Sequence, residues 1–261
     1  MKLSIQNKMG NKIDLTWTDA AAKYREFCLQ AVNDENVFST FRRNPIFTQI
    51  MEHFTYDQGL KYLNAIKDNN PKLLEYFDDF KSSENNGSPI VFEYNNVFMS
   101  PSTLRYIKVL SDLFNCFGSL EGFKIAEIGS GYGGQCKIIK DIYNVDYYLI
   151  DLPEVNLLAK KYLEKTGIKD MRFYSYNNLV KEKYDLVISN HAFSELNRNI
   201  QDYYNEMIIQ GSKNGYMTCN IMLNNNDCYQ LPDYEKMGTL HYAKEEPNTH
   251  RYNFVMYWYG K

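Results

Sequence analysis

The sequence predicts an α/β fold: a Rossmann-like, mostly parallel sheet with an antiparallel last strand, preceded by a mainly helical cap. Three observations predict it. From Lys124 onward short apolar runs alternate with helix-forming segments, the pattern of parallel strands joined by crossover helices. The first of these runs breaks into a glycine turn, Gly129-Ser130-Gly131-Tyr132-Gly133-Gly134. The sequence closes on a β-rich run, Tyr252-Asn253-Phe254-Val255-Met256-Tyr257-Trp258-Tyr259, which fits an antiparallel final strand.

Residues 1 to about 15 carry little pattern and read as a tail or a strand fragment. From Thr18, Ala21, Tyr24, Phe27, Cys28 and Ala31 recur at three- and four-residue steps, which predicts a helix. Asn44-Pro45 is a helix start, with Asn as cap and Pro at the first position, and the helix is expected to reach His53. Asp57 is expected to cap another to about Ile66, and Pro71 to open one through Phe80. The stretch from Ser82 to Pro89 is a loop by composition. A hairpin through Asn95-Asn96 follows, then a helix from Ser100-Pro101-Ser102 to about Phe117. Residues 1–118 form the cap and 119–261 the Rossmann-like domain.

Within that domain the expected strands are 124–128, 147–151, 170–174, 184–189, 216–223, one near 240–245, and the closing run. The expected helices are 134–143, 153–165 and 197–211. A polar loop, Asn224-Asn225-Asn226-Asp227, follows the fifth strand.

Composition narrows the function. Hydrophobic residues are 44% and charged ones 23% of the 261, ordinary for a globular protein. A net charge of −3 gives no support to nucleic-acid binding, which would predict a basic face. No run approaches the roughly 18–20 apolar residues of a membrane span, and Met1–Lys8 lacks the apolar centre of a signal peptide. The five cysteines are an odd number without C-x-x-C spacing, which fits buried thiols in a reducing cytoplasm. The 23 tyrosines have two readings: drift of composition, or a polar-aromatic pocket whose ring faces attract a cation.

The glycine turn carries the chemistry. Gly129, Gly131 and Gly134 satisfy the dinucleotide spacing G-x-G-x-x-G, and Gly133 also makes it G-x-G-x-G, a form used around S-adenosylmethionine. Glu127, inside the strand two residues earlier, suits a ligand with an ammonium group and would repel a pyrophosphate. Asp151 ends the second strand, where an acid accepts hydrogen bonds from ribose hydroxyls; either ligand would use it.

Ala126 to Gly133, Asp151-Leu152-Pro153-Glu154-Val155 and Ser189-Asn190-His191-Ala192-Phe193-Ser194-Glu195-Leu196 together resemble the class I methyltransferases. More narrowly, the chain is similar to the sugar O-methyltransferases encoded among bacterial surface-polysaccharide genes. The resemblance runs over roughly residues 40–261, strong in the cofactor half and thin before it. It implies the class I fold and S-adenosylmethionine as cofactor, with the cap as acceptor-side region or dimer face.

Ligands of open α/β sheets bind beyond the carboxyl ends of the strands. That rule nominates Gly129–Gln135, Asp151–Leu152, Tyr174–Asn177, Asn190–Glu195 and the 223–250 segment. The cofactor set is therefore Glu127, Gly129, Ser130, Gly131, Gly133, Gln135, Asp151, Leu152, Tyr176, Asn177, Asn190 and His191, with Tyr176 and Asn177 beside the adenine. His191 and His241 are candidate general bases for a hydroxyl acceptor. Arg105 and His250 are candidate acceptor contacts, and Arg42-Arg43 reads as a surface pair. Glu195 is expected to cap the helix after it, and Glu245-Glu246-Pro247-Asn248-Thr249-His250-Arg251 to form a solvated turn. No metal is expected, since Ser189-Asn190-His191 stands where some O-methyltransferases place a metal-binding Asp.

The expected protein is a cytoplasmic methyltransferase whose acceptor is a small molecule, a sugar or an anionic sugar-linked group such as a phosphoramidate; a homodimer is left open. Two rivals stand beside it: an NAD(P)-dependent oxidoreductase, and a non-catalytic partner that keeps the fold. Transfer to nitrogen would use the same cofactor half.

Overall fold

The computed structural model describes residues 3–6, 12–15, 19–220, 227–237 and 239–260. Leu3–Gln6 and Lys12–Leu15 pair as antiparallel strands. Residues 221–223, assigned above to the end of a strand, and Asn224–Asn226 of the polar loop lie outside the described residues.

The N-terminal part is mainly helical. Helix α1 (Asp19–Asn33) is followed by short turns and by a helix over Pro45–Ile50, where Asn44 accepts the Ile46 N–H. That helix stops short of His53, which leaves the Met51–Phe54 stretch free to turn toward the sheet. Helix α2 (Tyr56–Asn69) is capped by Thr55, not by Asp57. Thr55 and Gln58 exchange side-chain and backbone hydrogen bonds (3.3 and 2.9 Å), a reciprocal box that satisfies two orphan N–H groups. Asp57 falls in the first turn, where its charge suits the helix dipole.

The helix expected over 71–80 is a 3-10 turn, Pro71–Tyr76, a short α turn, Phe77–Phe80, and a further 3-10 turn over Lys81–Asn85. Steps of four and three residues bring Leu73, Phe77 and Phe80 into the core. The hairpin Phe92–Tyr94/Val97–Met99 turns at Asn95 and Asn96, both with positive φ, which asparagine tolerates. Helix α3 (Pro101–Phe117) packs on α2, its first turn capped by Ser100.

The sheet comprises β1 (Lys124–Ile128), β2 (Asp146–Ile150), β3 (Met171–Tyr174), β4 (Tyr184–Asn190), β5 (Ser212–Asn220), β6 (His241–Lys244) and β7 (Asn253–Trp258). Its order is β6-β7-β5-β4-β1-β2-β3, with β1 to β5 parallel and β7 antiparallel to both of its neighbours. This is the class I methyltransferase sheet. Helices α4 (Gly134–Lys140), α5 (Pro153–Lys165) and α6 (Arg198–Met207) cross between strands. Helix α4 ends earlier than expected, and α6 gives way to a 3-10 turn over Ile209–Gly211. β5 begins at Ser212, earlier than its apolar run suggests, because its polar start pairs with Tyr184 and Leu186. The α6 cap is Asn197, which accepts the Ile200 N–H, and Glu195 lies in the preceding 3-10 turn.

Alternation along β1 sends Ile125 to the cap side and Ala126 and Ile128 to the other, so Glu127 shares the cap-side face. The core there is built around the glycine turn's own tyrosine. Tyr132 stands edge-on to Tyr162 (4.9 Å, 89°) and to Phe41 (5.7 Å, 70°), with the Arg42 guanidinium 5.0 Å from its ring centre. Arg42 is fully buried, contrary to the reading as a surface pair. It donates to Glu52 (2.5 Å), the Ser83 carbonyl (3.0 Å) and Ser100 Oγ (3.0 Å), and Glu84 lies 3.5 Å away. Its neighbour Arg43 is exposed and donates to the Ser88 and Pro89 carbonyls. One arginine is a core strut and the next a surface group.

Candidate active site

A cavity of about 760 Å³ opens beyond the carboxyl ends of β1, β2 and β4, roofed by the Gln49–Phe54 stretch and α3. It sits where strand order reverses about β1, the switch point at which open α/β sheets bind ligands. The turn after β1 forms one wall. Gly129 has φ +74°, and a Cβ there would lie 2.0 Å from the Ala192 Cβ. Gly131 has φ +54°, and its Cβ would meet the Met51 methyl at 2.3 Å. Both positions require glycine, and the backbone itself faces the cavity.

Asp151 braces this turn. Its carboxylate accepts the Gly131 N–H (2.8 Å) and the Leu152 N–H (2.7 Å). Burial pushes it up to about 6 even so. Its remaining lone pairs are available to a diol. Glu127 is buried beneath, accepting the Tyr147 hydroxyl (2.9 Å), and burial pushes it up to about 8. Asn190 leans toward Glu127, yet neither of its buried amide atoms has a hydrogen-bond partner among the described residues. The buried Ser130 hydroxyl is likewise without one. Tyr24, Tyr106, Tyr176 and Tyr204 add aromatic faces to the wall.

The opposite end is built around His191, held at φ +65° at the end of β4 by bonds from its N–H to the Thr218 carbonyl and hydroxyl. Its Nδ1 lies 2.9 Å from Asn220 Oδ1 and its Nε2 3.3 Å from Glu245 Oε1. Asn220 donates its amide N–H to Glu195, which turns Oδ1 toward the ring. Both ring nitrogens therefore face oxygen atoms. Burial works against an ionised Glu245, but the bonds from His191 and from Thr249 outweigh it and bring the group down to about 2.

Of the nominated residues, Glu127, Gly129, Ser130, Gly131, Asp151, Leu152, Tyr176, Asn190, His191, Arg105 and His250 line this cavity. Gly133, Gln135, Asn177 and His241 do not. Gly133 packs on Leu163, and Gln135 donates to the Tyr106 carbonyl (3.1 Å). Asn177 accepts from Ser175 (2.6 Å). His241 lies exposed on β6, stacked on Tyr257 (5.2 Å, 15°). The Glu245–Arg251 stretch is also more than a solvated turn: Glu245 is buried and accepts from Thr249 and Asn253. Sequence reasoning missed Glu245, Asn220 and His53 as site residues. Only the density of polar groups around Glu245 hinted at it.

Among the described residues, no group of three His, Cys, Asp or Glu side chains is placed to hold a metal ion, and no helix is long and apolar enough to cross a membrane.

No family model and no curated protein sequence matches the chain. Solved structures do resemble it. One is a candidate sarcosine dimethylglycine methyltransferase from Galdieria sulphuraria, 15% identical, with 54% of this chain and 65% of that one covered and a TM-score of 0.43. A second is an O-methyltransferase family 2 protein from Planctomyces limnophilus, 12% identical, with 52% and 50% covered and a TM-score of 0.39. A third is an S-adenosylmethionine-dependent methyltransferase from Clostridium acetobutylicum, 11% identical, with 59% and 89% covered and a TM-score of 0.46. The chain thus spans less than two thirds of the length of the first two. The fold assignment stands on the strand order itself.

Proposed function

We propose that this chain is an S-adenosylmethionine-dependent O-methyltransferase. Its acceptor is a sugar, or a sugar-linked or phosphoramidate intermediate, of bacterial capsular or surface-polysaccharide synthesis. The observation that carries the cofactor reading is the buried acid Glu127 at a glycine turn, with the buried Ser130 hydroxyl and Asn190 amide beside it lacking hydrogen-bond partners of ordinary geometry among the described residues. Each such group costs about 1–3 kcal/mol when left unmet. A ligand with an ammonium group and ribose hydroxyls would meet them. The choice of oxygen and of a surface-polysaccharide acceptor rests on the sequence resemblance.

When bound, S-adenosylmethionine supplies an electrophilic methyl group on a sulfonium. The chain's own part is to hold an acceptor oxygen in line with that group and keep water away, an orientation effect worth up to about 7 kcal/mol or more. Glu127 and the turn would hold the amino-acid end, Asp151 the ribose, and Tyr176 the adenine side. His191 would face the acceptor. To take a proton from a hydroxyl, its Nε2 would have to turn away from Glu245 Oε1, 3.3 Å away.

A hydroxyl acceptor makes His191→Ala costly, roughly 10²–10⁴-fold in kcat, whereas an acceptor that is already anionic loses far less. His241→Ala is expected to stay within about twofold for either, since that ring does not line the cavity and stacks on Tyr257. The deciding test is calorimetric titration with S-adenosylhomocysteine, and with NADH and NADP⁺ in parallel. Micromolar binding of S-adenosylhomocysteine alone supports the reading. Binding of a nicotinamide nucleotide instead overturns it in favour of an oxidoreductase, and silence from all three with folded protein favours a non-catalytic partner.

A further inference from the structure

Two residues of the N-terminal part, Arg105 and His53, line the cavity without a role in holding a cofactor, and Tyr62 lies beside Arg105. Arg105, from the first turns of α3, is only 7% exposed and lines the cavity. Its guanidinium stacks over Phe54 (5.2 Å), and its Nη2 is buried with no hydrogen-bond partner among the described residues. The Tyr62 hydroxyl, from α2, is buried, and the Arg105 guanidinium is placed beside it. His53 lies beside them, on the stretch where the preceding helix breaks off, and lines the same cavity. A buried guanidinium with an unmet donor is expensive. It asks for an anion.

The guanidinium and the His53 ring flank the same Phe54 ring, at 5.2 and 4.4 Å. Arg105 and His53 share the cavity with His191, whose Nε2 lies 3.3 Å from Glu245. The His191 end offers no ready base, because both ring nitrogens face oxygen atoms and Glu245 is held ionised. An acceptor chosen for its negative charge suits both facts.

We infer that Arg105, with the Tyr62 hydroxyl and His53 beside it, is a subsite for an oxyanion, so that the acceptor is an anionic molecule anchored by a phosphate or carboxylate group. A planar guanidinium matches two oxygens of either group. The inference rests on the methyltransferase reading for what the acceptor receives, but the anion site can be measured apart from it.

The experiment titrates inorganic phosphate and, separately, acetate into the protein saturated with S-adenosylhomocysteine, by calorimetry. The expected result is saturable binding of at least one anion. Arg105→Gln should weaken it tenfold or more and Tyr62→Phe severalfold, while S-adenosylhomocysteine affinity stays within about threefold. Phosphate binding without acetate binding identifies a phosphate-type acceptor, and the reverse a carboxylate. If Arg105→Gln instead weakens S-adenosylhomocysteine by tenfold and leaves the anions unchanged, the guanidinium serves the cofactor's carboxylate and the inference fails while the methyltransferase reading survives. If neither anion binds, the inference fails outright. If S-adenosylhomocysteine itself does not bind, it is the methyltransferase reading that falls, and anion titration of the ligand-free protein still decides the subsite. Arg105→Lys, which keeps the charge without the fork, replaces the Gln variant if that one is not folded by circular dichroism; a tenfold loss is again expected, and an unchanged affinity counts against the subsite.

Discussion

Glu127→Gln is expected to weaken S-adenosylhomocysteine binding by roughly 10–150-fold at pH 8, the worth of a hydrogen bond to a charged group at about 1.5–3 kcal/mol. The substitution keeps the shape and the Tyr147 contact while removing the carboxylate that would meet the ligand's ammonium. The pH dependence should change as well. Burial pushes Glu127 from the ordinary glutamate value of 4.5 up to about 8, so in the empty site it holds a proton at neutral pH. A cationic ligand favours the ionised form, and binding between about pH 6 and 7.5 must expel that proton. Affinity of the unmodified protein should therefore rise with pH over this range, approaching about tenfold per unit. Calorimetry in buffers of different ionisation enthalpy would detect the proton released, and the Glu127→Gln variant should release none.

Stability runs the other way. A carboxyl raised in the folded state contributes stability that is fully present below about 4.5 and is lost as pH rises through about 8. The ligand-free protein should melt lower at about pH 8.5 than at about pH 6 on this group's account. Glu127→Gln should flatten that slope and raise the melting temperature at the alkaline end. A variant that binds worse and melts no lower would mark Glu127 as a binding group; one that simply unfolds would make it a structural one.

Arg42→Ala carries the largest expected cost in stability. Removing one partner of a buried ion pair costs about 3–5 kcal/mol because the other charge stays buried. Here Glu52 and Glu84 would both be left behind, with the Ser83 carbonyl and Ser100 losing their donor. For a chain of this size that corresponds to a fall of roughly 6–20 °C in melting temperature. Arg43→Ala, one residue on, should shift it by no more than about 2 °C, since its side chain is exposed and, among the described residues, bonds two carbonyls. Calorimetric scans of the two variants side by side check the contrast. Equal shifts would mean that the Arg42 network does not hold the cap to the glycine turn.

That contrast shows where one-dimensional reading stops. The glycine turn was legible because its constraint is local: positive φ at Gly129 and Gly131 is a property of the backbone at those residues. The acids at Glu127 and Asp151 were legible because strand ends are marked by the apolar runs before them. Asn44 and Asn95-Asn96 announced a cap and a turn for the same reason, each bonding or bending within a few residues.

Other features depended on partners far away in the sequence. Asp57 and Thr55 both suit a cap, and only the reciprocal bond to Gln58 decides between them. His191 and His241 look alike as bases, yet one ends a central strand and the other sits on the edge strand. Glu245 stands far along the chain from His191, in a polar stretch that sequence alone reads as solvent-facing. Arg42 and Arg43 are chemically identical, and burial separates them. The sequence by itself determined the sheet, the turn and the acids at its rim, because hydrophobic period and backbone freedom are written residue by residue. Which charged side chains are buried, and against what, was decided only by the tertiary structure, because the cost of burying a charge depends on neighbours that folding brings together.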